Sequence, residues 1–234
     1  MKLAIMQPYI FPYIGYFQLI NAVDKFVVYD NIEYTKKGWI NRNRILLNGK
    51  AGYFTFPLKK DSDYLHIGQR RLSASFKEEK LKLFRKITGA YKKADQFETV
   101  FPLLHAIINS EEENLFKFIH HSLQEMCKFL DIKTEFIISS EIPIDHSLTS
   151  QDKVIAICKA MNAAAYINSA GGMDLYSKEI FKQQNIDLIF IKSNAAEYGQ
   201  FKNEFVPGLS IIDVLMFNSK EKVKELLNWG YTII

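Results

Sequence analysis

The sequence predicts an α/β fold: a mainly parallel, Rossmann-like sheet with an inserted antiparallel hairpin (34–75) and an inserted helical segment (77–131), within one domain spanning 1–234. Three observations lead there. Short apolar runs alternate with helix-period segments at both ends of the chain, the pattern of strands covered on both faces by crossover helices. Between 39 and 58, two extended runs flank Asn48-Gly49, a strong hairpin signal. From 77 to 131 apolar residues recur at helical spacing with no strand-like run among them.

Residues 3–6 form an apolar strand, Gln7-Pro8 and Pro12 punctuate a loop, 17–23 read as a short helix, and 26–29 form a second strand ending at Asp30. In such a βαβ unit the strand's carboxyl end and the helix's amino end share one rim, where free backbone N–H groups favour anions. Runs 39–47 and 53–58 make the hairpin, and 65–75 adds a third short strand. Leu81, Phe84, Ile87 and Tyr91 mark one face of a helix over 77–93. Pro102 suits a first turn or a break better than a helix interior. Ser110 with Glu113 is a capping-box pattern ahead of a helix that carries Leu115 through Leu130. The α/β rhythm then returns as strand 135–139, helix 152–161, strand 164–168, a Ser169-Ala170-Gly171-Gly172 turn, helix 174–184 and strand 186–191. The tail gives two short helices, capped by Ser210 and Ser219 and stopped at Gly230.

Composition narrows the function classes. Of 234 residues, 48% are apolar and 24% charged, ordinary values for a soluble protein. No apolar run approaches the roughly 20 residues that span a bilayer. Pro8, Pro12 and Gly15 break up the amino terminus as a signal peptide, so a cytoplasmic protein without membrane insertion is expected. Cys127 and Cys158 fall on helical faces with no CxxC pair, which suits buried thiols in a reduced compartment. The net charge of +4 is mild, and basic residues cluster only at 36–44, 70–71 and 92–93. Such clusters fit a phosphate- or carboxylate-bearing small molecule; nucleic acid would need a wider basic face and is not expected as a partner. His120 and His121 lack an acidic or histidine partner at helical spacing on their face, so no metal is expected, and no cofactor is implied. Nothing in the pattern fixes the oligomeric state, and a homo-oligomer is compatible with it.

Three constellations could carry chemistry. The first is Gln7-Pro8-Tyr9 with Tyr13-Ile14-Gly15-Tyr16: prolines stiffen the loop, and a glycine at the helix start allows close approach of backbone or ligand. Gln7 and Tyr16 are catalytic candidates there, Gln7 acting with the Gly15 N–H to orient a reacting carbonyl, and Tyr9 and Gly15 are binding candidates. The second holds Asp30, a candidate general base, with Tyr34, Lys36, Trp39, Asn41, Arg42, Asn43 and Arg44. If 39–44 is extended, Trp39, Asn41 and Asn43 share one face and Arg42 and Arg44 the other. The amide and indole face suits a sugar or base, and the guanidinium face with Lys36 suits phosphate or carboxylate. The third is Asn168, Gly171, Gly172 and Tyr176, where a strand ends in a small-residue loop that can cradle an anion, although neither G-x-G-x-x-G nor a Walker lysine is present. A fourth stretch, Leu209-Ser210-Ile211-Ile212-Asp213, reads as a cap followed by a core helix.

The opening order of strand, proline, turn, apolar helix, acidic residue and strand resembles nucleotidylyltransferases, whose turn reads His-x-Gly-His. Here Tyr13-Ile14-Gly15-Tyr16 takes that place and both histidines are missing, so the resemblance implies the topology without the reaction. Taken together, QPYIFPYIGYFQLI, WINRNRI, INSAGGMDLY and LSIIDVLMFN, in that order over essentially the whole chain, resemble the WbqC-like protein family. Its recurrent block residues map onto Gln7, Pro8, Tyr9, Pro12, Gly15, Tyr16, Phe17, Asp30, Trp39, Asn41, Arg42, Asn168, Gly171, Gly172, Tyr176 and Asp213. The resemblance implies a setting in biosynthesis of bacterial O-antigen and other surface polysaccharides. The expected function is a transferase that moves an acyl or aminoacyl group to an amino sugar or nucleotide-linked sugar. The alternatives are a non-catalytic nucleotide-sugar-binding or assembly module and a degenerate nucleotidylyltransferase.

Overall fold

The computed structural model describes residues 1–194 and 197–234. In chain order the first half runs β1 (Lys2–Met6), α1 (Ile14–Asn21), β2 (Lys25–Val28), β3 (Arg42–Leu47), β4 (Lys50–Thr55), α2 (Phe76–Tyr91), α3 (Phe97–Ile108) and α4 (Leu115–Phe129). The second half runs β5 (Glu135–Ile138), α5 (Ser150–Ala160), β6 (Ala165–Ser169), α6 (Lys178–Gln183), β7 (Asp187–Ser193), α7 (Ile211–Phe217), α8 (Lys220–Trp229) and β8 (Tyr231–Ile233). The main sheet has the order β5-β2-β1-β6-β7-β8; the first five strands are parallel, and β8 pairs antiparallel with β7. A mixed α/β fold with a mainly parallel central sheet is therefore present, and β3 and β4 form a separate antiparallel hairpin.

Alternation along the strands explains the layering. Leu3, Ile5, Val27, Tyr166, Leu188 and Phe190 face Val154, Ile157 and Cys158 of α5 and Phe181 of α6. Ala4, Phe26, Val28, Ile167 and Ile191 join the opposite core with Phe17 and Ile20 of α1, Ile119 and Leu123 of α4, Val223 and Leu227 of α8, and Ile45 and Phe54 of the hairpin. Two-sided burial is why these strands read as unbroken apolar runs. The hairpin and α2–α4 all lie in the connection between β2 and β5, which places both insertions beside the carboxyl end of β2. Among the described residues, no helix is long and apolar enough to cross a membrane.

Several elements differ from the expectations, each for a local reason. Helix α1 begins at Ile14, three residues before the predicted start at 17. The strand expected over 39–47 starts only at Arg42, and its partner runs 50–55 because Asn48 and Gly49, with φ of 52° and 74°, make a two-residue turn. The third strand expected at 65–75 is instead a short 3-10 turn at Ile67–Gln69, and the stretch makes single bridges to three separate segments, at Glu33, Leu58 and Asn114. Pro102 lies inside α3; burial of Phe97, Val100, Leu104 and Ile107, each contributing about 1.5–3 kcal/mol, offsets a proline cost of about 3 kcal/mol. Asn114, accepting from the Lys117 N–H at 3.0 Å, caps α4 in place of Ser110. The helix expected from 174 begins at Lys178, after a 3-10 segment at Ala170–Leu175. The final strand β8 was not foreseen.

Candidate functional site

Three of the four sequence blocks are sewn together at the carboxyl end of the sheet. Asn43 donates to the backbone carbonyls of Ile10 (3.0 Å) and Phe11 (2.8 Å) in the loop after β1. The Ser210 hydroxyl donates to the same Phe11 carbonyl at 2.6 Å, and the Ile211 N–H to that of Pro12 at 2.8 Å. The Ser210 N–H reaches the Arg44 carbonyl at 2.9 Å. Phe11 has φ of 42°, a conformation that costs a non-glycine residue energy, and these bonds hold it there.

A cavity of about 240 Å³ opens between Tyr9, Pro12, Tyr13, Trp39, Asn43, Arg44 and Gly208. The Trp39 indole stacks on Tyr53, centroids 6.2 Å apart and 17° between planes. The Arg42 guanidinium lies 5.1 Å from the Tyr53 ring centre, and that of Arg44 5.2 Å from Trp39. Backbone carbonyls fix both: Arg42 donates to Gly38 at 3.0 Å and to Lys37, and Arg44 to Gly208 at 3.0 Å. Arg44 Nε is buried without a hydrogen-bond partner among the described residues. Burial raises the Tyr9 and Tyr13 phenols above their usual range, so both stay protonated donors at neutral pH. A neighbouring cavity of about 210 Å³ shares Tyr13 and Gly208 and reaches Ser193 and Asn194 at the end of β7.

Behind this wall lies a buried polar network. Asp213, fully buried, accepts from Tyr91 and Tyr198 hydroxyls and from the Gln200 amide, each at 2.7 Å. Tyr91 in turn accepts from the Leu46 N–H in β3 at 2.8 Å. Burial pushes the Asp213 carboxyl above its usual range, and the three donors oppose that shift. The network ties β3, α2, α7 and the segment before Gly208 to one another.

Asp30 occupies a different cavity, of about 310 Å³, with Gly68, Asn114, His120, His121, Ser140 and Glu141 among its walls. Its carboxylate accepts the Ser140 N–H at 2.9 Å and the Ser140 hydroxyl at 2.6 Å. His120 stacks on Phe116, and burial lowers its pKa, so the ring is neutral at pH 7. Lys153, on the first turns of α5, is only 6% exposed, with its ammonium 5.7 Å from the Tyr29 ring centre.

The predicted residues divide accordingly. Tyr9, Trp39, Asn43 and Arg44 line one cavity, and Asp30 another. The exposed amide face expected of Asn41 and Asn43 is corrected: both are buried, because their amides satisfy backbone carbonyls, Asn41 that of Phe56 at 2.7 Å. Tyr34 donates to Asn41, and Lys36 pairs with Asp63 on the surface. Tyr16 is buried, with its hydroxyl spent on the Gln7 carbonyl at 2.8 Å. Gly15 makes room for the Tyr13 ring, since an added Cβ would fall 2.3 Å from it; the close approach is made by the protein itself. Gly172 likewise makes room for the Asn168 amide, a Cβ at Gly171 would meet only the Ser169 hydroxyl at 4.0 Å, and Tyr176 packs edge-on to Tyr166. Sequence reasoning missed Ser140, Tyr53 and Lys153. Lys153 was visible: it shares a helical face with Val154, Ile157 and Cys158, where a charge is out of place.

Among the described residues, no group of three or more His, Cys, Asp or Glu is placed to hold a metal ion. The sequence profile of the WbqC-like protein family matches residues 7–225. The uncharacterized protein Rv1507c of Mycobacterium tuberculosis is 26% identical over 230 residues, covering 97% of this chain and 98% of the relative. No solved structure matches the chain.

Proposed function

The chain belongs to the WbqC-like protein family, and from that premise we propose that it is a transferase of bacterial surface-polysaccharide biosynthesis, moving an acyl or aminoacyl group onto an amino sugar that carries phosphate or a nucleotide. The observation that carries this reading is the stacked Trp39–Tyr53 pair with Arg42 and Arg44 over its rings, at the wall of a cavity beside the carboxyl ends of parallel strands. Aromatic planes suit a base or sugar ring, and guanidinium groups suit its phosphates. The strand order of the parallel part, third-second-first-fourth-fifth, supports a Rossmann-like sheet, which binds ligands on this rim. In the proposed reaction the acceptor extends from the Trp39 cavity to the separate Asp30 cavity; its amine attacks the acyl carbon, the new N–C bond replaces the bond to the donor's leaving group, which departs with the bonding electrons, and the amine proton passes to Asp30, oriented by Ser140. Gln7, at the end of β1, orients the reacting carbonyl.

Incubation of the protein with pooled nucleotide sugars and acyl donors, followed by mass spectrometry, tests the reading. A product heavier by one acyl or aminoacyl group is expected. A ligand-dependent rise in melting temperature with no new mass would overturn transfer in favour of a nucleotide-sugar-binding module. One observation favours that second reading: the Arg42 and Arg44 donors that form bonds, and both Asp30 oxygens, are already satisfied by protein groups, a rigid arrangement suited to recognition. A degenerate nucleotidylyltransferase is less well supported, since the Tyr16 phenol at its diagnostic turn is enclosed in the core.

A further inference from the structure

A lysine almost removed from water normally has an anion beside it. Lys153 has none within ion-pair distance: 6% of the residue is exposed, and its ammonium, which is not sealed from solvent, makes no hydrogen bond or ion pair among the described residues. The Tyr29 ring face, 5.7 Å away, compensates for only part of the lost hydration. Asp30, the carboxylate that acts on it from the neighbouring strand end, is engaged by Ser140 and stands beyond ion-pair distance.

The surroundings supply the remaining parts of an anion site. Lys153 sits in the first turns of α5, an 11-residue helix whose cap residue, Thr149, makes no side-chain capping bond. Among the described residues the N–H groups of 150–152 have no backbone acceptor, whereas that of Lys153 donates to the Thr149 carbonyl at 3.3 Å; the free groups lie at the positive end of the helix dipole, in a turn that also carries the Asp152 carboxylate. The Gln151 side chain accepts the Ser177 N–H at 2.7 Å and so holds this helix end against the segment that follows the Gly171-Gly172 turn. Tyr29 directly follows β2, the Gly-Gly turn follows β6, and β1 lies between those two strands. The helix end thus spans the point where the chain order of the sheet reverses, the usual ligand crevice of such sheets. A Cβ added at Gly171 would meet only the Ser169 hydroxyl, at 4.0 Å.

We propose that Lys153 and the first turn of α5 form an oxyanion subsite at this crevice, which takes a phosphate or pyrophosphate group. The subsite depends on the transferase reading only for the molecule that carries the phosphate. Two carriers share this chemistry, a free inorganic anion and the diphosphate of a nucleotide sugar.

Calorimetric titration of the full chain with inorganic pyrophosphate tests the subsite. Lys153→Met is expected to weaken binding at least tenfold, Lys153→Arg to retain most of it, and Lys159→Met, an exposed lysine of the same helix, to leave it unchanged. In phosphate-free buffer Lys153→Met should melt no lower than the parent, because it removes an unpaired charge; a purely structural lysine would give a lower melting temperature. Equal pyrophosphate affinity in the parent and Lys153→Met overturns the proposal. Should that variant not fold, hydrogen–deuterium exchange of the parent decides: pyrophosphate must slow exchange at 150–153, and no protection there overturns the subsite. The same measurement with UDP-N-acetylglucosamine separates the carriers. Protection at both 150–153 and 39–44 assigns the phosphate to a nucleotide sugar, and protection by pyrophosphate alone assigns it to the free anion. Neither readout requires transfer, so a failed transferase assay leaves this result standing.

Discussion

Asp213→Asn should destabilise the protein by about 2–3 kcal/mol, and the hydrogen bonds of the buried carboxylate set that figure. Three donors converge on it at 2.7 Å, one on Oδ1 and two on Oδ2. The amide can still accept from Tyr198 and Gln200 through its one oxygen. Its NH2 then faces Tyr91, whose oxygen already accepts from Leu46, and the Tyr91 hydroxyl proton loses its acceptor. Charge-assisted bonds contribute about 1.5–3 kcal/mol each and neutral ones about 0.5–1.5, so two downgraded bonds and one lost give several kcal/mol, partly offset by no longer burying a charge. Tyr198→Phe removes a single donor and should cost about 1.5–3 kcal/mol. The pH profile supplies an independent sign. The folded carboxyl is raised by burial above its unfolded value, so its contribution is full below about pH 4 and is lost as pH rises through the folded value. Asp213→Asn should flatten that slope. Urea unfolding followed by tryptophan fluorescence across this pH range measures both effects, and a variant within about 0.5 kcal/mol of the parent with an unchanged slope would refute the assignment.

Asp30→Asn should keep the fold, because Ser140 can still pair with the amide oxygen, while abolishing turnover in the mass-spectrometric assay; a near-normal rate sinks the general-base role. Both thiols, Cys127 and Cys158, are pushed up to about 12 by burial, so neither should react with a thiol reagent at pH 8 until denaturant is added; rapid labelling of the native protein would contradict their placement. Lys224 and Lys220 hold the Asp131 carboxyl down at about 2, below its unfolded value of 3.8. Its contribution is therefore present above about pH 4 and lost as pH falls towards 2, and Asp131→Asn should remove that part of the acid unfolding profile.

What the sequence made legible follows from how local each cause is. The parallel strands, the hairpin and α2 were readable because alternation and helical spacing are set within a few residues, and two-sided burial leaves its mark on every strand. Pro102 misled because a local rule was overridden by the apolar burial of α3, which is a tertiary effect. The segment 65–75 misled because strand formation depends on tertiary pairing, and here the pairing is divided among Glu33, Leu58 and Asn114 in place of one partner strand. Strand β8 was hidden for the converse reason: three residues pair because β7 has an open edge there.

The site was legible as residue types and illegible as directions. Asn41 and Asn43 looked like ligand-binding amides because amides beside tryptophan and arginine suit a sugar, yet a loop whose carbonyls lack strand or helix partners must find donors somewhere. Asn43 supplies them to Ile10 and Phe11, and Ser210 repeats the contact from the far end of the chain. Those polar residues build the wall, whereas the exposed indole and the guanidinium groups over it form its working surface. The same test of satisfaction separates the two buried charges. Asp213 has three donors and holds structure together; Lys153 has no acceptor and is placed to receive one. On a buried face, then, the count of satisfied partners distinguishes a polar residue that completes the fold from one that awaits a ligand.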